Sequence, residues 1–259
     1  MVLPLEEHLA VDPFIVRYAD GTYSYNCYHI PTNLNAGRFP AARLESWPWK
    51  SVPLNKESMG KARATDTIQH YAFQKLKAEF DLVFNDDGSG EAADLVALKD
   101  VDEKTIRLCL VHCKNAHEAK VTQDIRNFYI LCGQAQKCVA IKHRGMARLY
   151  HDLKRRHEIW AQEGHSRFLK GDIKQLAYFR DKARRTAVEF EVILVQPGAS
   201  AASVNDDALL LLGTTELYLR KQPLVFESSY RLKRRLLRLA LPQGVLDVAM
   251  NMRILPRQH

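Results

Sequence analysis

Residues 80–114 read FDLVFNDDGSGEAADLVALKDVDEKTIRLCLVHCK, and three extended runs show in that stretch. The first covers residues 80–85. The turn DDGSG, with Gly88 and Gly90 supplying backbone freedom, leads into the second at residues 92–98. The break KDVDEK leads into the third at residues 105–114, so the segment predicts three adjacent strands.

The flanks extend this core. Upstream, Ile68, Ala72 or Phe73, and Leu76 recur at helical spacing and predict a helix from about Ser58 or Thr65 to Glu79, with Gln69 bordering its apolar face. Downstream, a long helix is expected over residues 118–140. Val121, Ile125, Phe128, Cys132 and Ala135 form its apolar row; Gln123, Asn127, Gln134 and Lys137 form a polar one, and Gly133 weakens its centre. Residues 142–185 read as helical pieces anchored by Trp160, Phe168, Leu176 and Phe179. A strand follows at 187–196, with Phe190, Val192 and Leu194 on one face and Glu189 and Glu191 on the other, ended by Pro197-Gly198. Asn205 or Asp206 caps a helix containing residues 208–212. A late edge strand is expected at 224–226 and a short basic helix at 230–239. At the other end, runs at 14–18 and 22–30 flank Asp20-Gly21 as a hairpin, and the stretch holding Pro31, Pro40, Trp47, Pro48, Trp49 and Pro53 reads as coil over the core.

The chain has 259 residues, 46% of them hydrophobic and 26% charged, which allows a sizeable core and excludes collagen-like, disulfide-scaffold and largely disordered chains. Two equal domains would each be small, so one domain with insertions is expected. The signature G-x-x-x-x-G-K-[ST] is absent, so the chain is not expected to be an ATP-driven motor itself. The longest aliphatic cluster, at 208–212, falls far short of a membrane span. The opening MVLPLEEHLAVDP has early glutamates and no basic stretch, and the five cysteines are odd in number; together they predict reduced thiols in the cytoplasm. Cys109 and Cys113 lie four strand steps apart, about 13 Å, too far to share one zinc ion with Cys132 and Cys138 unless the strand breaks.

Two residues on these strands attract chemistry. Asp94 interrupts the apolar run AADLVAL, where an unpaired carboxylate is costly. Lys114 ends LCLVHCK, with His112 two residues earlier on the same strand face. Neighbouring strands would bring all three to one sheet edge. A carboxylate that holds a hard divalent cation beside a lysine is suited to phosphodiester hydrolysis; the rival reading is a structural ion pair at the sheet end.

The order helix, Asp-bearing strand, strand ending in Lys, helix resembles the core of the PD-(D/E)xK nuclease superfamily. More narrowly, the strings DDGSGEAADLVAL, VHCK, YILCGQAQK, SRFLKGD and ILVQPGAS resemble a nuclease-like domain at the C-terminus of bacterial superfamily 2 helicases linked to mobile elements and phage defence. The resemblance spans roughly residues 14–228. It implies an α/β fold: a restriction-endonuclease-like core with a central mixed sheet flanked by helices, an N-terminal hairpin extension and a basic helical insertion. In that division, residues 1–57 form the extension, 58–228 the core with an insertion around 142–185, and 229–259 a basic tail.

The resemblance places Asp94 at the metal-binding aspartate and Lys114 at the motif lysine, with the Cys113 carbonyl as a backbone ligand. His112 stands where the second acidic residue is usual. Imidazole brings no negative charge to Mg2+ or Mn2+, which bears on metal preference and on activity itself. Glu91 supplies the missing carboxylate if a bulge or the turn at Gly90 rotates it inward, since its odd offset from Asp94 otherwise places it on the other face. Asp86 and Asp87 read as turn formers. Gln69 matches the helix position that often carries Glu or Gln near the metal, and Gln134 the helix glutamine beside the scissile strand; Lys137, near one turn on, is a phosphate contact.

The formal charge is +8, and residues 137–185 account for it: fourteen Lys and Arg stand against five Asp and Glu, a net +9. A second basic, leucine-rich block, RLKRRLLR, runs from 231 to 238. The expectation is a metal-dependent nuclease acting on DNA, with RNA also open as substrate, a helicase or other defence-system subunit as partner, and no membrane. A noncatalytic nucleic-acid-binding module and an interaction subunit of a defence complex are the alternatives, and His112 is the best support for the former.

Overall fold

The computed structural model describes residues 7, 14–17, 23–25, 28–30, 37–49, 52–202, 204–221 and 230–242. The chain divides into two compact units, Met1–Gly37 and Arg38–His259. The first holds an antiparallel sheet of β1 (Val16–Arg17), β2 (Tyr23–Tyr25) and β3 (Tyr28–Ile30). Val16 opposite Ser24 is the hairpin expected around Asp20-Gly21. The run 22–30 is not one strand, because Tyr25 pairs with Tyr28 and the chain doubles back.

The second unit is α/β. Its sheet comprises β4 (Leu44–Trp47), β5 (Leu82–Asn85), β6 (Leu95–Asp102), β7 (Thr105–Cys113), β8 (Phe168–Lys170), β9 (Ala187–Val195) and β10 (Tyr230–Pro242), in the order β4-β10-β9-β7-β6-β5-β8. The β8 side is antiparallel and the pairs β7–β9, β9–β10 and β10–β4 are parallel, so the sheet is mixed. Both faces are covered, which explains the near-continuous apolar runs of its central strands.

Alternate strand residues serve opposite faces. Val96, Leu98, Leu108, Leu110, Phe190, Val192 and Leu239 pack under the helices α2 (Arg126–Ala161), α3 (Ile173–Lys182) and α4 (Asp206–Lys221). Leu95, Ala97, Cys109, Val111, Ile193 and Ala240 pack under α1 (Ile68–Leu76), together with Trp47, Trp49 and Met59. The three strands predicted within 80–114 are β5, β6 and β7, and the strand predicted at 187–196 is β9.

Other boundaries differ from expectation for local reasons. Helix α1 begins at Ile68, where the Thr67 hydroxyl accepts the His70 N–H at 3.2 Å; before it, Gly60 and Arg63 adopt left-handed backbone. Helix α2 begins at Arg126, eight residues later than expected, since Glu118 and Ala119 are also left-handed. It continues to Ala161 across a break at Gly145 (φ 74°, ψ 170°). Phe168 belongs to β8, an edge strand on β5. The Trp47 stretch expected as coil contains β4, which pairs with β10. Asn205 does cap α4, accepting the Ala208 N–H at 2.9 Å. The strand expected at 224–226 lies outside the described residues.

The largest correction concerns residues 230–239, a strand and not a helix. β10 lies inside the sheet between β9 and β4, so it is no peripheral tail. Leu237, Leu239 and Leu241 share one buried face while Ala240 meets the other, a period of two that the leucine-rich string concealed. Parallel neighbours on both sides take up its backbone groups.

Arg238 fastens β10 on the α1 side. It donates to Glu45 at 2.7 and 3.0 Å and to Glu79 at 3.0 and 3.1 Å, with Glu191 at 3.9 Å. Burial alone would weaken this guanidinium's charge; the Glu45, Glu79 and Glu191 carboxylates outweigh it and hold the charge firmly. Arg107, on β7, adds a second cation between Glu189 (3.1 Å) and Glu79 (3.6 Å). Replacing Arg238 with leucine leaves the buried Glu191 and the half-buried Glu45 and Glu79 short of a counter-charge. We expect urea denaturation to register a loss of about 3 kcal/mol, whereas a decorative basic tail would lose nothing measurable.

Candidate metal centre

The site forms where the loop before β6 meets the end of β7. Residues 86–94 make a closed turn: Asp86 N–H donates to Asp94 O at 3.0 Å, Glu91 N–H to Gly88 O at 3.0 Å, and Ala92 N–H to the Asp86 carboxylate at 2.7 Å. Gly88 (φ 117°) and Gly90 (φ 76°) occupy backbone conformations that a side chain would strain. The turn thus ends with Asp94 immediately before β6, outside the regular pleat. The face alternation that set Glu91 opposite Asp94 therefore does not apply.

As a result Asp87, Glu91 and Asp94 each present a carboxylate oxygen, all within 4.8 Å of one another. Asp94 is buried, with 1% exposure. Its Oδ1 accepts from Gln69 Nε2 and its Oδ2 from the Cys113 backbone N–H, both at 2.8 Å. A carboxylate offers about four lone-pair positions, so two remain to face a cation. An all-oxygen donor set of three carboxylates suits a hard divalent ion. The fit has a second sign: His112, with 2% exposure, has an Nδ1 that finds no hydrogen-bond partner among the described residues and that lies 3.9 Å from Asp94 Oδ2.

The predicted residues take distinct places. Gln69 is wholly buried; its oxygen accepts the Met59 N–H at 3.0 Å while its amide holds Asp94, so it orients that carboxylate and its own oxygen is already engaged. Glu91 joins the acidic group. His112 lies beside Asp94 but outside the group of three, with its Nε2 3.1 Å from Cys138 Sγ on α2. Cys113 contributes its N–H, and burial pushes its thiol well above the ordinary range, so the sulfur stays protonated. Gln134 backs onto the same side, its carbonyl near Cys138 Sγ at 3.5 Å and its side-chain oxygen buried without a hydrogen bond. Cys109 and Cys113 sit on the α1 face of the sheet, Cys132 and Cys138 on the α2 face.

Lys114 does not pair with Asp94. Its Nζ donates to Glu57 at 2.7 Å, and Glu57 also accepts the Asn115 N–H at 2.9 Å. Burial alone would lower the Lys114 pKa, but the Glu57 carboxylate dominates and raises it, so the ammonium persists. Sequence reading missed Glu57, because it lies far upstream in a segment without periodicity; only the fold brings it to the end of β7. The sequence places Asp87 in the turn together with Asp86. Asp86 does shape the turn, while the Asp87 carboxylate reaches the acidic group and meets the Ser58 hydroxyl.

Neither the protein families, nor the curated proteins, nor the solved structures contain a match to this chain. The chemistry of the site therefore rests on its own geometry. No helix among the described residues is long and apolar enough to cross a membrane.

The charges make a pH test. Burial foremost, against the Cys113 N–H and reinforced by Glu91, Asp87 and Glu57, pushes the Asp94 carboxyl from 3.8 up to about 7. Burial, with Lys137 adding to it, pulls His112 from 6.5 down to about 3. Between those limits the native state keeps a proton on Asp94 that the unfolded chain releases, so this contribution to stability falls as pH rises to about 7. His112 acts oppositely: below pH 6.5 the unfolded chain takes up a proton that the native state refuses. Asp94→Asn isolates the first effect, because His112 is common to both proteins. In chelator, wild-type stability relative to Asp94→Asn should be higher at about pH 5 than at about pH 8, read from urea midpoints. A gap unchanged between these conditions would contradict a buried Asp94 carboxyl that holds its proton.

Proposed function

We propose that the protein is a metal-dependent nuclease that hydrolyses DNA phosphodiester bonds on a restriction-endonuclease-like core. The observation that carries this reading is the grouping of Asp87, Glu91 and Asp94 within 4.8 Å, at the sheet end where Lys114 also stands. Asp87, Glu91 and Asp94 would hold Mg2+ or Mn2+, which when bound polarises a phosphate oxygen and makes water a stronger nucleophile.

The chain's own groups supply the rest. Gln69 and the Cys113 N–H fix the Asp94 carboxylate, so it does not have to reorganise as charge develops. Lys114, kept protonated by Glu57, has two further N–H donors with which to offset negative charge on the phosphate oxygens. The water oxygen would bond to phosphorus as the water gives up a proton to solvent, and the P–O3′ bond would break as O3′ takes up a proton from solvent, leaving a 5′-phosphate and a 3′-hydroxyl. Gln134, on the α2 side, would position substrate. Lys137, Arg144 and Arg155 are exposed on α2 and, among the described residues, outside the ion pairs of that helix, and are suited to contact phosphates. The setting we propose is cytoplasmic defence against phage or mobile DNA, with a helicase motor as partner.

One observation favours a second reading, a noncatalytic nucleic-acid-binding module: His112 is neutral and turned toward Cys138, so β7 brings no second carboxylate. Incubation of purified protein with matched linear and circular DNA, and with RNA, in Mg2+ or Mn2+ separates the two. We expect metal-dependent cleavage of DNA. Lys114→Ala should slow it by about 10²- to 10³-fold, and Asp94→Ala should reduce it to background. Tight, salt-sensitive binding without cleavage in either metal would instead establish the binding module.

A further inference from the structure

Two arginines from the basic stretch lie buried behind the acidic loop. Arg156, on the second half of α2, is 9% exposed, and Arg167, just before β8, is 6% exposed. The Arg156 guanidinium donates to the Ser89 carbonyl at 2.6 Å, to the Asp87 carbonyl at 3.2 Å and to the Asp86 carbonyl, and its Nε lies 2.5 Å from Asp86 Oδ1. Arg167 donates to the carbonyls of Asn85 at 2.9 Å, Asp87 at 3.1 Å and Arg156 at 3.1 Å, and its guanidinium stacks 3.9 Å from the Trp160 ring centre.

Every carbonyl from Asn85 to Asp87, and that of Ser89, is thus turned toward a guanidinium. The left-handed glycines permit this turn, and a Cβ on Gly88 or Gly90 would come to 3.8 Å from the Arg156 nitrogens. The Asp87 and Glu91 carboxylates, gathered within 4.8 Å of each other and of Asp94, repel one another, and an unsupported glycine loop would relieve that by letting them swing into water. The unsatisfied His112 Nδ1 beside Asp94 independently marks the same spot as built for a ligand.

We infer that Arg156 is a positioning residue that holds the Asp87–Glu91 loop ready for a divalent cation, with Arg167 bracing the same loop. This rests on reading the carboxylates as a metal site. Lysine at 156 keeps the charge but cannot bridge several carbonyls from one planar fork. Outer partners of this kind typically alter metal affinity by about 10- to 100-fold.

The test is calorimetric titration of the full chain with Mn2+ alone, alongside thermal melts of the metal-free proteins. Wild type should bind. Arg156→Lys should bind about 10-fold or more weakly while its metal-free melting temperature stays near wild type. Arg156→Ala should bind more weakly still and regain affinity in millimolar guanidinium but not in equal sodium chloride, a rescue that a merely structural role would not give. If Arg156→Lys does not fold, Arg167→Lys takes its place with the same expected loss. Wild-type affinity in a folded lysine variant overturns the clamp and leaves the metal site standing. No Mn2+ binding by wild type overturns the metal site, and the clamp with it.

Discussion

The hydrogen bond from the Cys113 backbone N–H to the Asp94 carboxyl joins the elements that meet at the acidic group. It crosses from the last residue of β7 to the residue just before β6, and Gln69 brings α1 to the same carboxylate. The Gln69 N–H in turn bonds to the Glu57 carbonyl at 3.1 Å, so the segment that supplies the Lys114 partner hangs on the same point. An acid this deep is tolerated because both its oxygens are bonded and it keeps a proton up to about pH 7. Take that anchor away and β7 and α1 lose their common partner.

The electrostatics follow from burial on one side and pairing on the other. Asp94 and His112 are both driven toward their neutral forms, one by gaining a proton and the other by refusing it. Lys114, half-buried against Glu57, keeps its charge. The resting site is therefore less negative than a count of its carboxylates suggests. A cation entering it would displace the Asp94 proton, and its binding would be linked to pH through Asp94 and not through His112.

The sequence made this centre legible in part, and the limits are physical. Strands β5, β6 and β7 were readable because turn chemistry separates apolar runs of strand length, and Asp94 stood out as a carboxylate inside one of them. Gln69 was readable as the polar edge of a short helix. Glu91 was ambiguous because strand alternation was assumed through a turn that breaks it. Glu57 carried no local signal, and the Lys114–Glu57 pair exists only through the tertiary fold. Residues 230–239 misled because leucine, arginine and lysine favour a helix by local propensity; parallel pairing on both sides overrides it. The start of α2 misled because apolar spacing over 121–125 says nothing of the left-handed backbone at Glu118 and Ala119.

The same division explains the basic stretch. Read as charge, residues 137–185 form one +9 block. In the fold it separates by burial. Arg156 and Arg167 face inward onto loop carbonyls, Lys182 pairs with Asp100 at 2.5 Å, and Lys170 caps the carbonyls of Lys77 and Phe80. Lys137, Arg144, Arg155, Lys174, Arg184 and Arg185 remain exposed. Buried guanidinium groups are unavailable to phosphates, yet they sit beside the carboxylates that a metal would use. A basic segment in such a fold would therefore have two roles with different salt responses. On the proposed function, its exposed cations would give screened attraction to nucleic acid, while its buried ones would keep a repulsive acidic loop in shape with little dependence on salt.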